Sequence, residues 1–189
     1  FVKPANMGSS VGVSKASTLS ELQTAIDVAW SYDEVVVVEE AVVGKEIEVA
    51  VLGNNDPQAA TPGEIVPADE FYSYDDKYVS DGSFAVIPAP IGDEAIIEAR
   101  ELAVRSFRAL RCEGLSRVDF FWEDPATEIA GRPGRGFLLN EINTMPGFTP
   151  ISMFPKMWMA DGVSYPQIID RLVDLAIDKH RRRRRNTSH

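Results

Sequence analysis

Leu138-Leu-Asn-Glu-Ile-Asn-Thr-Met-Pro-Gly147 is the stretch that decides the fold, together with Ser116-Arg-Val-Asp-Phe120 upstream. Both stretches are predicted to form β-strands. Side chains two residues apart on a strand lie on the same face of the sheet. Each strand is therefore expected to present a pair of polar side chains on one face.

Four polar residues of these strands carry the chemistry. Arg117 is expected beside Asp119, and Glu141 beside Asn143. If the strands pair, three oxygen ligands and one guanidinium converge, and oxygen ligands suit Mg²⁺, which commonly bridges nucleotide phosphates. The patch indicates phosphoryl chemistry, although these residues alone also fit a surface ion pair beside a solvated face.

The bulk composition is that of an ordinary globular protein with one good core or two small ones. The chain has 189 residues, of which 44% are hydrophobic and 25% charged. No apolar run approaches the roughly 20 residues that cross a bilayer, so no membrane partner is expected. The opening Phe1-Val-Lys-Pro resembles the middle of a strand, and we expect the chain to be the C-terminal part of a longer polypeptide.

Cysteine and histidine usage narrows the chemistry. The single Cys112 excludes an internal disulfide and a multi-thiolate zinc site, and it favours the cytosol. The two histidines, His180 and His189, lie at the extreme C-terminus, so we expect no His-based triad. Catalysis must then use carboxylates, Lys, Arg, hydroxyls and backbone N–H groups.

The charge pattern argues against nucleic acid as a partner. Net charge is −10, although residues 181–185 are five consecutive arginines, so the rest of the chain is more acidic still. Nucleic-acid binding usually requires a positively charged surface. The arginine run is predicted to be a disordered tail, with nucleic-acid or membrane contact as the alternative.

Periodicity predicts mixed α and β structure. Strands are predicted at residues 1–3, 11–15, 35–40, 46–52, 63–67, 84–87, 115–122 and 137–144. Helices are predicted at 17–31, where Thr18-Leu-Ser-Glu21 fits a capping box, at 93–112 and at 164–180. Because helices and strands do not alternate regularly, the predicted fold class is α+β.

Three further segments each allow two interpretations. The Gly/Ser-rich stretch from Lys3 to Gly12 fits a phosphate-binding loop or a simple hairpin turn. The aromatic loop at 69–82 fits a lid or an exposed loop packed on itself. Residues 38–46 fit an adenine and ribose site or an ordinary acidic turn.

Taken in order, the motifs resemble the ATP-grasp family. They are Phe1-Val-Lys-Pro-Ala-Asn-Met-Gly-Ser-Ser-Val-Gly-Val-Ser14, Phe71-Tyr-Ser-Tyr-Asp-Asp-Lys-Tyr78, Ser116-Arg-Val-Asp119, Asn140-Glu-Ile-Asn-Thr-Met-Pro-Gly-Phe-Thr149 and Ile151-Ser-Met-Phe-Pro155. They extend over most of the chain. The resemblance implies an ATP-grasp fold, with a mostly antiparallel sheet flanked by helices in its C-terminal domain.

The resemblance also implies the residues of the site. For ATP, the phosphate ligands would be Lys3 and Lys77, and the adenine and ribose ligands Glu39, the backbone of Glu40 and Val42, and Glu46. Two Mg²⁺ ions, with Mn²⁺ as an alternative, would be held by Asp119, Glu141 and Asn143. Arg117 and the Gly147 N–H would stabilise an oxyanion. Ser152 and the Met153 N–H would bind a substrate carboxylate. Ser9 and Tyr78 would form a hydrogen-bonded link to an N-terminal domain.

The activity that the resemblance implies is the ATP-dependent ligation of two D-alanines through an acyl phosphate. ADP and phosphate are released, and the dipeptide serves peptidoglycan synthesis, cell-wall biogenesis and cell shape in a bacterial cytoplasm. Tyr78 favours the dipeptide over the alternative acceptor, D-lactate. A nucleotide-binding module without catalysis is the other alternative.

The resemblance finally implies a domain plan. Residues 1–46 would be the rear of the central ATP-grasp domain, 47–180 the C-terminal catalytic domain and 181–189 a disordered basic tail. The N-terminal domain and the front of the central domain would be absent, so we expect these residues alone to be inactive. The complete protein is expected to be a homodimer.

Overall fold

The computed structural model describes residues 1–8, 10–66, 84–149 and 151–184. Two compact units divide the described chain between Val43 and Gly44. The first contains the described residues up to 43 and Phe84, and the second contains 44–66 and 85–184. The assignment of these regions to the named ATP-grasp subdomains stays a prediction.

The first unit packs one helix on a two-stranded antiparallel sheet. The strands are β1 (Val2–Pro4) and β2 (Val36–Val38), and the helix is α1 (Leu19–Trp30). The predicted capping box is confirmed, because Thr18 accepts from the Glu21 N–H and Glu21 accepts from the Thr18 N–H. Val2 is fully buried against the helix.

The predicted strand at residues 11–15 is wrong. Only Ser14 pairs with Val2, as an isolated bridge. The backbone before it is turned, with Ser10 at φ 61° and Gly12 at φ 73°. At Gly12 a Cβ would also lie 2.7 Å from the Tyr32 ring, so both conformation and space favour glycine. The segment is a series of turns, and β1 pairs with β2 instead.

The second unit is built on a six-stranded sheet. Its strands are β3 (Lys45–Gly53), β4 (Gln58–Ala59), β5 (Gly63–Val66), β6 (Phe84–Val86), β7 (Gly114–Glu123) and, after a small hairpin of β8 (Glu128–Ile129) and β9 (Arg132–Pro133), β10 (Gly136–Asn143). The order is β10-β7-β3-β5-β6, with β4 beside β3. Strand β3 pairs antiparallel with β4, β5 and β7, which confirms a mostly antiparallel α+β fold.

Helices cover the two faces of this sheet. Helix α2 (Asp93–Ala109) packs on the face that carries Ile47 and Val118. Helices α3 (Met153–Ala160) and α4 (Tyr165–Arg184) pack on the opposite face, over Ala50 and Leu52. Since side chains alternate along β3, Glu48 lies on this second face. The second face is therefore apolar under α3 and α4 and charged beyond them.

Two helices differ most from the predictions. Helix α3 was not predicted; its Pro155 lies in the first turn, where the missing N–H costs no helical hydrogen bond. Helix α4 continues to Arg184, four residues beyond the predicted end at His180, so residues 181–184 are helical. Arg182 stabilises this last turn by pairing with Asp178 at 3.0 Å. Among the described residues, no helix combines the length and apolarity needed to cross a membrane.

Candidate active site

Strands β7 and β10 bring together the four polar residues singled out in the sequence. They pair antiparallel, with Glu141 opposite Asp119 and Asn143 opposite Arg117. Directly opposed residues in such a pair have Cβ atoms about 5 Å apart. The predicted convergence on one patch is confirmed at the level of the backbone.

A β-bulge in β10 sets the face on which two of these residues lie. The register changes by one residue at Asn140, which has no partner of its own on β7. A shift of one residue moves a strand's side chains to the opposite face. Without the bulge Glu141 would lie opposite Val118, which is fully buried beneath α2. The bulge was not predicted, and it turns Glu141 and Asn143 towards Arg117.

Arg117 is held by two carboxylates from two strands. Its Nε and Nη2 atoms donate to the two oxygens of Asp119, each at a distance of 2.7 Å. Glu48 lies opposite Asp119 on β3 and places its Oε1 atom 3.2 Å from the same Nε. Paired contacts of this kind fix the plane of a guanidinium as well as its position. Arg117 therefore presents its charge in a defined orientation.

Among the described residues, the patch has more negative than positive charge. Burial by itself would lower the pKa of Arg117, but the hydrogen bond to Asp119 and the charges of Glu48, Asp119 and Glu141 outweigh it and raise the pKa. Arg117 is therefore always protonated and balances one of the three carboxylates. The remaining negative charge favours the binding of a cation.

Glu48 is the site residue that sequence reasoning missed. The alternation of residues 46–52 puts Glu46 and Glu48 on one face, but only Glu46 received a role. The missing information was the pairing partner of β3, because the pairing with β7 is what sets Glu48 opposite Asp119. Its side chain is only 13% exposed, and glutamates are seldom this buried unless they are paired, as Glu48 is with Arg117.

The donor chemistry of Asp119, Glu141 and Asn143 fits Mg²⁺. Two carboxylates and one amide supply hard oxygen ligands, and the excess negative charge suits a divalent cation. In the structure, both Asp119 oxygens accept from Arg117, and Asn143 Oδ1 accepts from the Met145 N–H at 3.0 Å. No group of three His, Cys, Asp or Glu side chains within the described ranges is already arranged as a metal site. An ion bound by Asp119 would therefore share its carboxylate oxygens with Arg117.

The loop after β10 leads from the charged patch to the predicted carboxylate site. A Cβ at Gly147 would lie 2.9 Å from Ser152 Oγ, so glycine permits this close approach. Ser152 precedes α3, yet its hydroxyl makes no helix cap and instead accepts from the Thr149 N–H at 3.0 Å. Met153 is the first residue of α3 and is buried. The loop thus brings Gly147 and Ser152 together at the start of a helix, whose N–H groups favour an anion.

Aromatic packing fixes the same loop. The Phe148 ring lies 5.2 Å from the Tyr165 ring and 5.8 Å from the Phe154 ring, measured between centroids. The Tyr165 hydroxyl donates to the Phe148 carbonyl at 2.7 Å. Helices α3 and α4 therefore hold the loop in place beside β10.

Two of the predicted nucleotide ligands in the first unit form an ion pair. Lys3 on β1 forms an ion pair with Glu39, which follows β2. The turn after β1 is anchored because the Asn6 N–H and side-chain amide both donate to Asp33, at 2.7 and 2.8 Å. Hydrogen bonds from Val35 and Asn6 lower the pKa of Asp33 and keep this anchor charged. Lys3 and Glu39 are therefore neighbours within one small unit.

Three other predicted nucleotide ligands lie at residues 40–46 of the chain, where the first unit ends and the second begins. Glu40 and Val42 belong to a segment without regular secondary structure, and Glu46 is the second residue of β3. Lys45 precedes Glu46, and its Nζ atom donates to both carboxylate oxygens of Glu64 at 2.8 Å. Ser9, Lys77 and Tyr78 lie outside the described residues, so their predicted roles stay predictions.

Comparison with known proteins identifies the family. A sequence profile described as "D-ala D-ala ligase C-terminus" matches residues 1–174. The D-alanine–D-alanine ligase of Heliobacterium modesticaldum is 50% identical over 188 residues, which is 100% of this chain and 49% of that protein. The ligase A of Chromobacterium violaceum is 51% identical over 96% of this chain and 47% of its own length.

Solved structures show the same relationship. The D-alanine–D-alanine ligase of Coxiella burnetii superposes with a TM-score of 0.82 at 36% identity, over 98% of this chain and 47% of that one. The VanG D-Ala:D-Ser ligase of Enterococcus faecalis superposes with a TM-score of 0.79 at 38% identity, over 93% and 48%.

The α+β fold with its mostly antiparallel sheet, which the chain shares with these solved ligases, is the ATP-grasp fold. Within that class, the chain belongs to the D-alanine–D-alanine ligase family and corresponds to the C-terminal part of its members. It spans about half the length of the curated relatives that it matches.

Proposed function

We propose that the complete gene product carrying this chain is an ATP-dependent ligase that joins two D-alanines into D-alanyl-D-alanine. The observation that carries the proposal is the fixed Arg117 guanidinium beside Asp119, with Glu141 and Asn143 opposite them. This patch combines oxygen ligands suited to a phosphate-bound cation with a positive charge for a reacting oxyanion. Membership of the family supports the choice of substrates.

The nucleotide would be ATP. Lys3 and Lys77 would contact phosphate oxygens, while Glu39, Glu46 and the backbone of residues 40 and 42 would take adenine and ribose. The Lys3–Glu39 ion pair supports this assignment, because a phosphate can replace the carboxylate as the partner of Lys3. Asp119, Glu141 and Asn143 would hold two Mg²⁺ ions, or Mn²⁺, which neutralise phosphate charge when bound.

The reaction would proceed in two balanced steps. A carboxylate oxygen of the first D-alanine forms a bond to the γ-phosphorus of ATP, and the bond to ADP breaks. The amine of the second D-alanine then attacks the acyl carbon and loses a proton, and the phosphate leaves with the electrons of the broken C–O bond. Arg117 and the Gly147 N–H would stabilise the tetrahedral oxyanion between attack and departure.

The second substrate would be oriented by the loop after β10. The Ser152 hydroxyl and the Met153 N–H would bind its carboxylate, as the position of both groups at the start of α3 supports. Ser9 and Tyr78 would connect this half of the site to an N-terminal domain by hydrogen bonds. The acceptor amine is thereby directed at the acyl carbon.

Phosphate release tests the proposal directly. The complete gene product is incubated with ATP and Mg²⁺, with and without D-alanine, and phosphate is measured over time. We expect release that depends on D-alanine, together with D-alanyl-D-alanine detected by mass spectrometry. ATP binding without D-alanine-dependent release would favour the alternative, a nucleotide-binding module. The 189-residue chain alone serves as a control and is expected to be inactive.

The acceptor is tested by competition. D-alanine, D-serine and D-lactate are supplied together, since one similar solved structure is a D-Ala:D-Ser ligase. We expect the D-alanine dipeptide as the main product at neutral pH. A depsipeptide as the main product would establish the D-lactate alternative instead.

The cellular setting follows from the product. D-alanyl-D-alanine would enter peptidoglycan synthesis, and ATP is supplied in the cytoplasm, where we place the protein. Burial raises the pKa of the Cys112 thiol, which is consistent with an unreactive cysteine. We further propose a homodimer, which light scattering on the complete gene product tests.

A further inference from the structure

Glu48 has no role in the function proposed above, although it lies at the centre of the sheet. On β3 it is opposite Asp119 of β7 on one side and Gly63 of β5 on the other. Its Oε1 atom is 3.2 Å from Arg117 Nε, and both side chains are largely enclosed, at 13% and 21% exposure. A glutamate in this position affects the orientation and the charge environment of the Arg117 guanidinium.

Asp119 has two functions, one as the hydrogen-bond partner of Arg117 and one as a proposed ligand of Mg²⁺. Both its oxygens are bound by Arg117 at 2.7 Å, and the proposed function requires the same oxygens as ligands of Mg²⁺. A carboxylate oxygen that coordinates Mg²⁺ is a weaker hydrogen-bond acceptor, because the cation draws on its negative charge. The support that Asp119 gives Arg117 would therefore weaken when the oxyanion is about to form.

We propose that Glu48 is a positioning residue that holds the Arg117 guanidinium in place while Asp119 coordinates Mg²⁺. This inference rests on the proposed function. Glu48 already shares Nε with Asp119, so the transfer requires no movement of Arg117. Nη2, which Asp119 releases, is then available to the substrate oxyanion.

The length and charge of Glu48 both enter this role. It reaches Arg117 from the neighbouring strand, so Glu48→Asp would fall short by one methylene, whereas Glu48→Gln keeps the reach and an acceptor oxygen but loses the charge. A positioning role therefore predicts graded losses, smallest for Gln and largest for Ala.

Hydrogen exchange at Arg117 Nε provides a readout independent of turnover. The complete gene product is labelled with ¹⁵N-arginine, and the Arg117 signal is identified by its loss in Arg117→Lys. We expect slow Nε–H exchange in the wild type, with or without Mg²⁺ and a non-hydrolysable ATP analogue. In Glu48→Ala, exchange stays slow without Mg²⁺, because Asp119 remains, and accelerates about tenfold when Mg²⁺ and the analogue are added.

The matched control is Glu64→Ala, since Glu64 is a buried glutamate of the adjacent strand that pairs with Lys45 instead. Its Arg117 exchange should follow that of the wild type. The proposal is overturned if Glu48→Ala exchanges slowly with Mg²⁺ and the analogue present. It is also overturned if their addition accelerates exchange in the wild type, because Glu48 would then be a metal ligand itself.

Kinetics complete the test. Glu48→Ala should lower kcat by about 10- to 100-fold with little change in the KM for ATP, and Glu48→Gln should recover part of the loss. In an Arg117→Ala background, Glu48→Ala should have no further effect on kcat; a further tenfold loss would exclude action through Arg117. If exchange behaves as expected but no D-alanine-dependent phosphate is released, the ligase proposal fails and the role of Glu48 stands.

Discussion

Strand β7 carries two charge clusters of opposite composition. Around Glu123, two guanidiniums surround one carboxylate, and the carboxylate is only 1% exposed. Around Arg117, three carboxylates act on one guanidinium. Both clusters bind their central group at about the same distances, so geometry alone does not separate them.

The Glu123 cluster is complete. Glu123 accepts from Arg132 at 2.8 Å and from Arg135 at 2.7 Å, and also from the Arg135 backbone N–H. Hydrogen bonds from Arg135 and then Arg132 lower the pKa of Glu123 well below its usual range. These contacts close the connection between β7 and β10. The one positive charge in excess lies on arginine side chains that are 40% and 31% exposed, so water and salt screen it. The cluster stabilises the fold.

The Arg117 cluster is unbalanced. Its carboxylates exceed its cations, and a fold gains nothing from like charges brought together across strands. Such repulsion is tolerated where a ligand relieves it. The sign of the charge in excess and its burial, rather than the presence of ion pairs, therefore separate the proposed cation site from the structural cluster on the same strand.

The largest expected effect comes from Arg117→Ala. Turnover should fall by roughly 100- to 1000-fold, the scale of one oxyanion donor, and D-alanine-dependent phosphate release measures it. Arg132→Ala is the matched control, because it removes an arginine from the structural cluster, and its loss of turnover per folded molecule should be small. A loss below about threefold for Arg117→Ala would remove it from the reaction.

Glu141→Gln should have the next largest effect, on the metal. The Mg²⁺ concentration that supports half-maximal turnover should rise by about tenfold or more. Since the substitution also removes a repelled carboxylate, the melting temperature without Mg²⁺ should stay level or rise. An unchanged Mg²⁺ titration would count against Glu141 as a ligand.

Glu123→Gln should act on stability instead. Two arginines would lose their shared charged partner, so the melting temperature should fall by several degrees, as circular dichroism or calorimetry measures. The Mg²⁺ dependence of turnover should not change. If Glu123→Gln were as stable as the wild type, the contrast between the two clusters would fail.

The smallest expected effect is the pH dependence of the stability that Glu123 contributes. Because the folded-state pKa of Glu123 lies below its usual value of 4.5, its charge stabilises the fold above that pH and the benefit is lost as the pH falls. The melting-temperature difference between wild type and Glu123→Gln should be constant near neutrality and should shrink below about pH 4. A difference that grows on acidification would contradict the cause given for the shift.

Much of the fold was predictable because its signals are local. The capping box at Thr18 and the alternation along β3 depend on neighbouring residues only, and both were read correctly. Strand partners depend on distant residues. The predicted strand at 11–15 failed for that reason, since β1 finds its partner at residues 36–38.

The site was predictable in its residue types and less so in its connections. Arg117 and Asp119 were expected side by side, and they are joined by two hydrogen bonds. Glu48 was missed because its role comes from the strand across the sheet. The bulge at Asn140 was missed because an extra unpaired residue leaves little trace in composition. The predicted roles of Ser9, Lys77 and Tyr78 remain to be tested.

The hydrogen bond from Tyr165 to Phe148 has a consequence for the order of synthesis. A ribosome adds residues from the N-terminus, so β7 and β10 leave the exit tunnel before Tyr165 does. The charged patch can form as soon as those strands pair, whereas the loop beside it gains its last support only when α4 arrives. During translation, the cation-binding half of the site is therefore expected to be complete before the half that receives the acceptor.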